Sequence, residues 1–258
     1  MSKPYLLSSQ YLQPEYPLFI YLPGMDGTGE LLRSQTQELE NYFDVRRLAI
    51  PLNDKSNWHT LTHQVLKLIY SELGYNSPRS VYLCGESFGG CLAQRMAIQA
   101  PHLFDKIILI NPASSFNLHP WLNWASQLMN WLPDYCFEIG AQALLPFLAA
   151  LDRIAYSDRQ ELLNTMCSIP PETILWRISL LREFHLEERK LNRLTHPVLL
   201  IAGAEDKLLP SVQEAQRLAR ILPKGKISVL PSSGHTCLLE KGINLYKIMQ
   251  ESNFLEAN

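Results

Sequence analysis

The stretch Val81-Tyr82-Leu83-Cys84-Gly85-Glu86-Ser87-Phe88-Gly89 decides the fold of this chain. An apolar run ends in Gly85, and an amphipathic pattern from Phe88 to Gln99 follows at once. This order predicts a buried strand, a sharp turn and a helix. The turn carries G-x-S-x-G over 85–89, a motif that exposes a serine hydroxyl at the carboxyl end of a strand. Ser87 is therefore the candidate nucleophile.

Short apolar runs recur on both sides of this stretch, with helical patterns between them. Runs that are apolar throughout are typical of strands buried on both faces. Alternation of strands and helices predicts an α/β fold with a mostly parallel central sheet and helices on both faces. The predicted strands are Leu18–Leu22, Val45–Ile50, Val81–Gly85, Ile107–Ile110, Val198–Ala202 and Ile227–Leu230, and the helical patterns are Trp58–Leu73, Phe88–Gln99 and Val212–Leu222.

Residues 113–195 break this alternation. They contain helix-like segments separated by prolines and no run typical of a strand. Because the segment is too long for a loop, we interpret it as a helical cap inserted into the sheet's connectivity. The predicted division is a core of residues 1–112 and 196–258 and a cap of residues 113–195.

Composition limits the classes of function. The chain has 258 residues, 47% hydrophobic and 19% charged, with a net charge of −2, which is typical of a globular protein and argues against nucleic acid as the main partner. No Asp, Glu, Lys or Arg occurs from Ile107 to Pro133, but prolines and polar residues interrupt that window, so we exclude a membrane span there. The N-terminus lacks the features of a signal peptide. The five cysteines form no C-x-x-C pair, which favours reduced thiols in a cytoplasmic protein and no zinc site.

A serine hydroxyl needs a base, and an acid must orient that base. His235 follows the last predicted strand, at the sheet edge where α/β proteins place their sites. Asp206 follows the strand Val198–Ala202, with Glu205 as its neighbouring alternative. The chain order Ser87, Asp206, His235 is that of a nucleophile, acid and histidine triad. The other histidines lie at a strand start, on helices or in the insertion: His59, His63, His102, His119, His185 and His196.

Two backbone donors are expected to hold the negative charge that develops during acyl transfer. One is the N–H of Phe88, the residue after the nucleophile. The other comes from the glycine-rich loop over 23–29, where Pro23 has no N–H, so we choose Met25, with Asp26 as the alternative. The spacing of this loop matches neither common phosphate-binding motif. Asp26 is also suited to brace the loop through the backbone of Thr28 or Gly29.

These motifs together resemble the α/β-hydrolase superfamily. The L-P-G-x-D-G-T-G stretch over 22–29 is similar to a branch of bacterial esterase, lipase and thioesterase-type hydrolases, and to the hydrolase part of plastid phytyl ester synthases and diacylglycerol-acyltransferase-like proteins. The resemblance implies an α/β-hydrolase fold with a helical cap after the sixth strand and a triad of Ser87, Asp206 and His235. We expect a single strand near Tyr5–Tyr11 in place of the N-terminal hairpin.

The resulting hypothesis is a serine hydrolase of a carboxylic ester or thioester, without metal or cofactor. The alternatives are an acyltransferase or lyase with the same triad, and a receptor-like protein with little turnover. Large apolar residues of the insertion either fill the space between cap and core or line an acyl pocket. For the second role we select Trp121, Trp124 and Met129 as substrate-binding residues. A small or lipid-like acyl substrate is then the expected partner, with transient contact between the cap and a membrane surface.

Overall fold

The structure is a computed structural model of the protein, and it describes residues 2–8, 12–74, 79–120 and 145–255. The strands in these residues are β1 Tyr5–Ser8, β2 Leu18–Leu22, β3 Asp44–Ala49, β4 Val81–Glu86, β5 Lys106–Ile110, β6 Val198–Gly203 and β7 Gly225–Leu230. They form one sheet in the order β1-β3-β2-β4-β5-β6-β7. β1 is antiparallel to β3, and the other neighbours are parallel. The predicted α/β fold with a mostly parallel sheet is confirmed.

Helices cover both faces of this sheet. The described α-helices are α1 Arg33–Leu39, α2 Trp58–Leu73, α3 Phe88–Gln99, α4 Tyr156–Cys167, α5 Pro171–Glu183, α6 Glu188–Leu191, α7 Ser211–Ile221 and α8 Leu245–Glu251. Successive residues of β2 point to opposite faces of the sheet. Ile20 lies in the core that also holds residues of α2, α3 and α7, whereas Tyr21 lies in the core that also holds residues of α1 and α8. Both faces of the central strands are therefore apolar, as their sequences predict.

One predicted strand differs from the expectation. The apolar run Ile227–Leu230 predicts burial on both faces, but Ile227 and Val229 are 40% and 43% exposed. The reason is position: β7 is the last strand in the sheet order, and its residues have a sheet neighbour on one side only, β6. The apolar run correctly predicts the strand and wrongly predicts its burial.

The insertion follows β5, which is the fifth strand of this chain. The expected position, after the sixth strand, counts both strands of an N-terminal hairpin. The described N-terminal residues form only one strand, β1, before β2. The strand that would be the sixth with a hairpin is therefore β5 in this chain. The predicted strand near Tyr5–Tyr11 is observed as β1, and residues 9–11 lie outside the described residues. Between β5 and β6, the described residues form 3-10 and α-helices.

Part of the insertion belongs to the main core. Ile178, Leu180 and Leu181 of α5 are buried in the cluster that also holds residues of α2 and α3. The indole Nε1 of Trp58 on α2 donates a hydrogen bond of 2.7 Å to the carbonyl oxygen of Leu180. The division of the chain at 112/113 and 195/196 stays a prediction, and α5 packs into the same core as helices outside the insertion.

In the part of the chain that the structure describes, no helix is long and apolar enough to cross a membrane. The described free cysteines are Cys84, Cys91, Cys167 and Cys237, and Cys136 lies outside the described residues.

We expect Gly89→Ala to be strongly destabilising. A Cβ atom at Gly89 would stand 2.1 Å from the carbonyl oxygen of Leu22 and 2.6 Å from that of Pro23, and backbone cannot move aside cheaply. The free energy of unfolding, measured with denaturant, should fall by about 3 kcal/mol or more. Gly242→Ala is the control, because Gly242 has a φ of 81° and a Cβ atom there would meet nothing within 4 Å, so it should lose only about 1–2 kcal/mol. Equal losses in the two variants would contradict the argument.

Candidate active site

Ser87 occupies a strained turn between β4 and α3. Its φ of 52° and ψ of −113° lie outside the regions that a serine ordinarily adopts. The Ser87 N–H donates to the carbonyl oxygen of Ile110 at 2.9 Å, and the Ser87 carbonyl accepts from the N–H of Gly90 and of Ala113 at 3.0 and 3.1 Å. These backbone bonds hold the strain in place and fix the direction of the serine side chain.

Glycines make this turn sterically feasible. A Cβ atom at Gly85 would stand 2.4 Å from the carbonyl oxygen of Gly89. The first turn of α3 therefore sits directly on the ends of β2 and β4, with its N-terminus next to Ser87. The positive end of the α3 dipole is thereby directed at the place where an oxyanion would form.

His235 connects the serine to an acid. Its Nε2 lies 2.9 Å from Ser87 Oγ, and its Nδ1 lies 2.7 Å from Asp206 Oδ2. The imidazole is buried in the loop after β7, with 4% of its side chain exposed. The structure thus brings together the three residues selected from the sequence, in the hydrogen-bonded order that a serine, a histidine base and an orienting acid require. Glu205, the alternative acid, is exposed.

Asp206 is held as a carboxylate by several donors. Its Oδ1 accepts from the N–H groups of Leu208 and Leu209, each at 2.9 Å, and its Oδ2 accepts from the hydroxyl of Ser211 as well as facing His235. Burial alone would raise the pKa of this carboxyl, but the charge of His235 and these hydrogen bonds outweigh it, so the pKa lies below its usual value. Asp206 therefore stays ionised next to the imidazole.

A second buried acid, Glu86, lies close to the triad. Burial raises the pKa of Glu86 to about 7, although a hydrogen bond from the hydroxyl of Tyr21 and the charge of His235 oppose the rise. For His235 itself, burial would lower the pKa, but attraction to Asp206, their hydrogen bond and the charge of Glu86 together raise it above its ordinary value. The sequence motif leaves the residue at 86 open, so this contribution was not predicted.

Asn111 is another residue that sequence reasoning missed. It directly follows β5 with a φ of 43°, and its Nδ2 donates to the carbonyl oxygen of His235 at 2.6 Å. Its Oδ1 accepts from the N–H of Gly203 at 2.8 Å. One amide side chain therefore ties the histidine loop to the ends of β5 and β6. An asparagine at a strand end is a signal, since asparagine tolerates positive φ, but its partners are distant in sequence.

The predicted oxyanion loop lies beside the nucleophile. A Cβ atom at Gly24 would be 3.8 Å from the Cβ of Ser87. The N–H of Met25 donates no hydrogen bond to another described residue, and the N–H of Phe88, the first residue of α3, has no acceptor within the helix. Both donors remain predictions as oxyanion ligands. The alternative donor, the backbone N–H of Asp26, likewise stays a prediction, and the side chain of Asp26 braces the loop, because its Oδ2 accepts from the N–H of Thr28 at 2.8 Å.

Arg177 is the least expected residue near this loop. It lies on α5, in the insertion, and is 2% exposed. Its Nη1 donates to the carbonyl oxygen of Met25 at 2.6 Å. No sequence pattern connects residue 177 with the loop, since the contact spans 152 positions of the chain.

The predicted substrate-binding residues Trp121, Trp124 and Met129 lie outside the described residues. The described end of the insertion does reach the triad: the carbonyl oxygen of Leu148 accepts from the N–H of Thr236 at 2.8 Å, one residue after His235. Among the residues that the structure describes, no group of three His, Cys, Asp or Glu side chains could hold a metal ion.

Replacement of the acid gives a test of the site's electrostatics. In Asp206→Asn the charge that opposes the effect of burial on His235 is lost, so the pKa of the imidazole should fall. The imidazolium of the native protein should accordingly persist to higher pH than that of the variant in an NMR titration. Glu205→Gln is the matched control and should leave the His235 titration unchanged, because Glu205 is exposed. An equal fall of the His235 pKa in both variants would show that the two carboxylates act on the imidazole only through the overall charge of the protein.

Comparisons with known proteins identify the family of this chain. The family model described as serine aminopeptidase, S33, matches residues 57–242. The chain is 31% identical to phytyl ester synthase 1, chloroplastic, of Arabidopsis thaliana over 91% of its own length, and it spans only 36% of that relative. It is also 31% identical to the putative carbamate hydrolase RutD of Stutzerimonas stutzeri (strain A1501), covering 87% of this chain and 86% of the relative.

A solved structure shows the same fold. MenH from S. aureus superposes with a TM-score of 0.77 at 16% sequence identity, covering 98% of this chain and 100% of the other. The chain spans about a third of the first curated relatives it matches, the two Arabidopsis phytyl ester synthases, at 36% and 37% of their lengths. The family model and the RutD relative together show that this chain belongs to the α/β-hydrolase superfamily, in the serine aminopeptidase S33 family.

Proposed function

We propose that the protein is a serine hydrolase that cleaves a carboxylic ester or thioester with an apolar acyl group. The observation that carries this proposal is a series of two hydrogen bonds through His235. Ser87 Oγ lies 2.9 Å from His235 Nε2, and His235 Nδ1 lies 2.7 Å from Asp206 Oδ2. Geometry of this kind converts a weak serine nucleophile into a reactive one.

The reaction follows from these positions. Ser87 Oγ attacks the substrate carbonyl while His235 Nε2 takes the hydroxyl proton, and the backbone N–H groups of Met25 and Phe88 stabilise the oxyanion. His235 then gives the proton to the leaving alcohol or thiol, which leaves an acyl-enzyme on Ser87. Water, deprotonated by the same imidazole, attacks the acyl group, and the acid product is released as Ser87 regains its proton.

Apolar acyl specificity rests on the sequence of the insertion and on its described flanks. Trp121, Trp124 and Met129 supply the large apolar side chains in our proposal. Leu118 and Phe147, close to the two ends of the undescribed part, are 58% and 49% exposed, which supports transient contact of the insertion with a lipid surface. A cytoplasmic location is part of the same proposal.

Acyl transfer is the second candidate. The similarity to phytyl ester synthase 1, which extends over 91% of this chain, favours it, because the name of that relative describes ester formation. The two reactions share the acyl-enzyme and differ in the acceptor that resolves it. Release of free acid in water, compared with ester formation when a long-chain alcohol is added, distinguishes them. A receptor-like role predicts binding without repeated turnover of either kind.

Ser87→Ala should abolish turnover. We expect kcat with nitrophenyl acyl esters to fall at least about 10⁴-fold, because no other group replaces the nucleophile. Ser168→Ala is the control: its hydroxyl bonds to the Thr165 carbonyl on the exposed end of α4, and full activity should be kept. Residual multiple-turnover hydrolysis by a folded Ser87→Ala protein would exclude the acyl-enzyme mechanism.

Chain-length preference tests the role of the insertion. Trp124→Ala should reduce kcat/KM for long-chain esters about tenfold or more relative to short-chain esters, since a lost aromatic wall removes apolar contact with the distal acyl carbons only. Tyr156→Ala, at a residue that is 75% exposed, serves as the control and should leave the ratio unchanged. Equal losses on long and short chains in Trp124→Ala would argue for a packing role.

A further inference from the structure

Arg177 is a buried cation that binds backbone carbonyls. Its guanidinium donates to Met25 O at 2.6 Å through Nη1 and to Ile50 O at 3.1 Å through Nη2. It forms no ion pair with a carboxylate among the described residues, although the charges of Asp26 and Asp54 attract it from a distance. Burial lowers the pKa of this guanidinium from its usual value in spite of these charges. A charged group is costly to bury, so its site calls for a specific role.

The guanidinium lies directly on the oxyanion loop. A Cβ atom at Gly27 would stand 2.7 Å from both Nη1 and Nη2 of Arg177, so the loop backbone is in close contact with the planar group. Gly27 has a φ of 71°, and its carbonyl oxygen accepts from the N–H of Ile50 at 2.7 Å. Arg177 and Ile50 together therefore fasten the loop after β2 to the segment after β3.

The orientation of the Met25 N–H follows from its neighbours. The carbonyl oxygen of Gly24 accepts from the N–H of Gly27 at 3.1 Å, which closes a turn over 24–27. In a trans peptide the N–H points opposite to the carbonyl, so the Met25 N–H points away from the turn's interior. Arg177 holds the next carbonyl, that of Met25, and so fixes the second peptide of the same turn.

We propose that Arg177 is a positioning residue that holds the turn over 24–27 so that the Met25 N–H is aligned with the oxyanion formed at Ser87. The inference rests on the proposed function. Because Arg177 belongs to α5, it makes the inserted segment part of the oxyanion site. The residue touches neither the nucleophile nor its base, and it acts through the loop backbone.

Kinetics of Arg177→Met test this role. We expect kcat for nitrophenyl acyl esters to fall about 10- to 100-fold, somewhat less than for removal of an oxyanion donor itself, with KM changed less than about threefold. An apolar trifluoromethyl ketone, which adds Ser87 Oγ to its carbonyl and places an oxyanion in the same site, should lose affinity by the same factor as kcat/KM. Arg177→Lys keeps the charge and donates from one nitrogen in place of the planar guanidinium, and should recover part of the loss.

The control separates positioning from general stability. Arg46 on β3 is also buried, at 4% exposure, and it pairs with Asp44 and Glu72. Arg46→Met should lower the melting temperature while kcat and ketone affinity stay unchanged. If Arg177→Met does not fold, kcat and ketone affinity measured on Arg177→Lys test the proposal in its place.

Two results would overturn the inference. One is a folded Arg177 variant with unchanged kcat and unchanged ketone affinity, and the other is a loss confined to KM. Failure of the proposed function has a different signature, because the unaltered protein would then neither turn over the esters nor bind the ketone.

Discussion

The close approach of the α3 N-terminus to the ends of β2 and β4 is the constraint on which the site depends. Gly89 allows it, since any side-chain carbon there would collide with the carbonyls of Leu22 and Pro23. The approach forces Ser87 into positive φ and puts the first N–H groups of α3 beside the loop that follows β2. The positions of Ser87, of the α3 N-terminus and of the loop after β2 thus depend on this backbone contact.

Electrostatics then determine the state of the base. His235 is buried, which disfavours its charged form, yet it faces Asp206 directly and Glu86 at longer range, and these acids raise its pKa. Asp206 is kept ionised by Ser211 and by backbone donors, whereas Glu86 titrates near neutral pH. A protonated His235 therefore faces a carboxylate, that of Asp206, which stays charged.

Local patterns were sufficient to predict much of this molecule. The apolar runs predict six strands, with ends within two residues of those observed. Ser87, Asp206 and His235 could be selected because each lies in the segment that follows a strand and the three have a fixed chain order. What was missed depends on contacts between distant segments. Arg177 meets Met25 across 152 positions, and Asn111 meets His235 across 124. Neither residue lies in a motif, and no periodic pattern encodes a hydrogen bond from a side chain to a remote carbonyl.

The stretch from Ile107 to Pro133, which contains no Asp, Glu, Lys or Arg, shows that a boundary drawn from the sequence need not be a boundary of the packed core. Its first residues form the buried strand β5, and the next, Ala113–Leu118, form a 3-10 helix whose Ala113 and Phe116 are buried in the main core. Burial accounts for the absence of charge over residues 107–116, which are all buried, but not at Leu118, which is 58% exposed. At the other end of the insertion, α5 contributes core residues and Arg177. Both described flanks of the insertion are therefore packed into the main core, and α5 is also tied to the loop after β2 through the hydrogen bond from Arg177 to Met25.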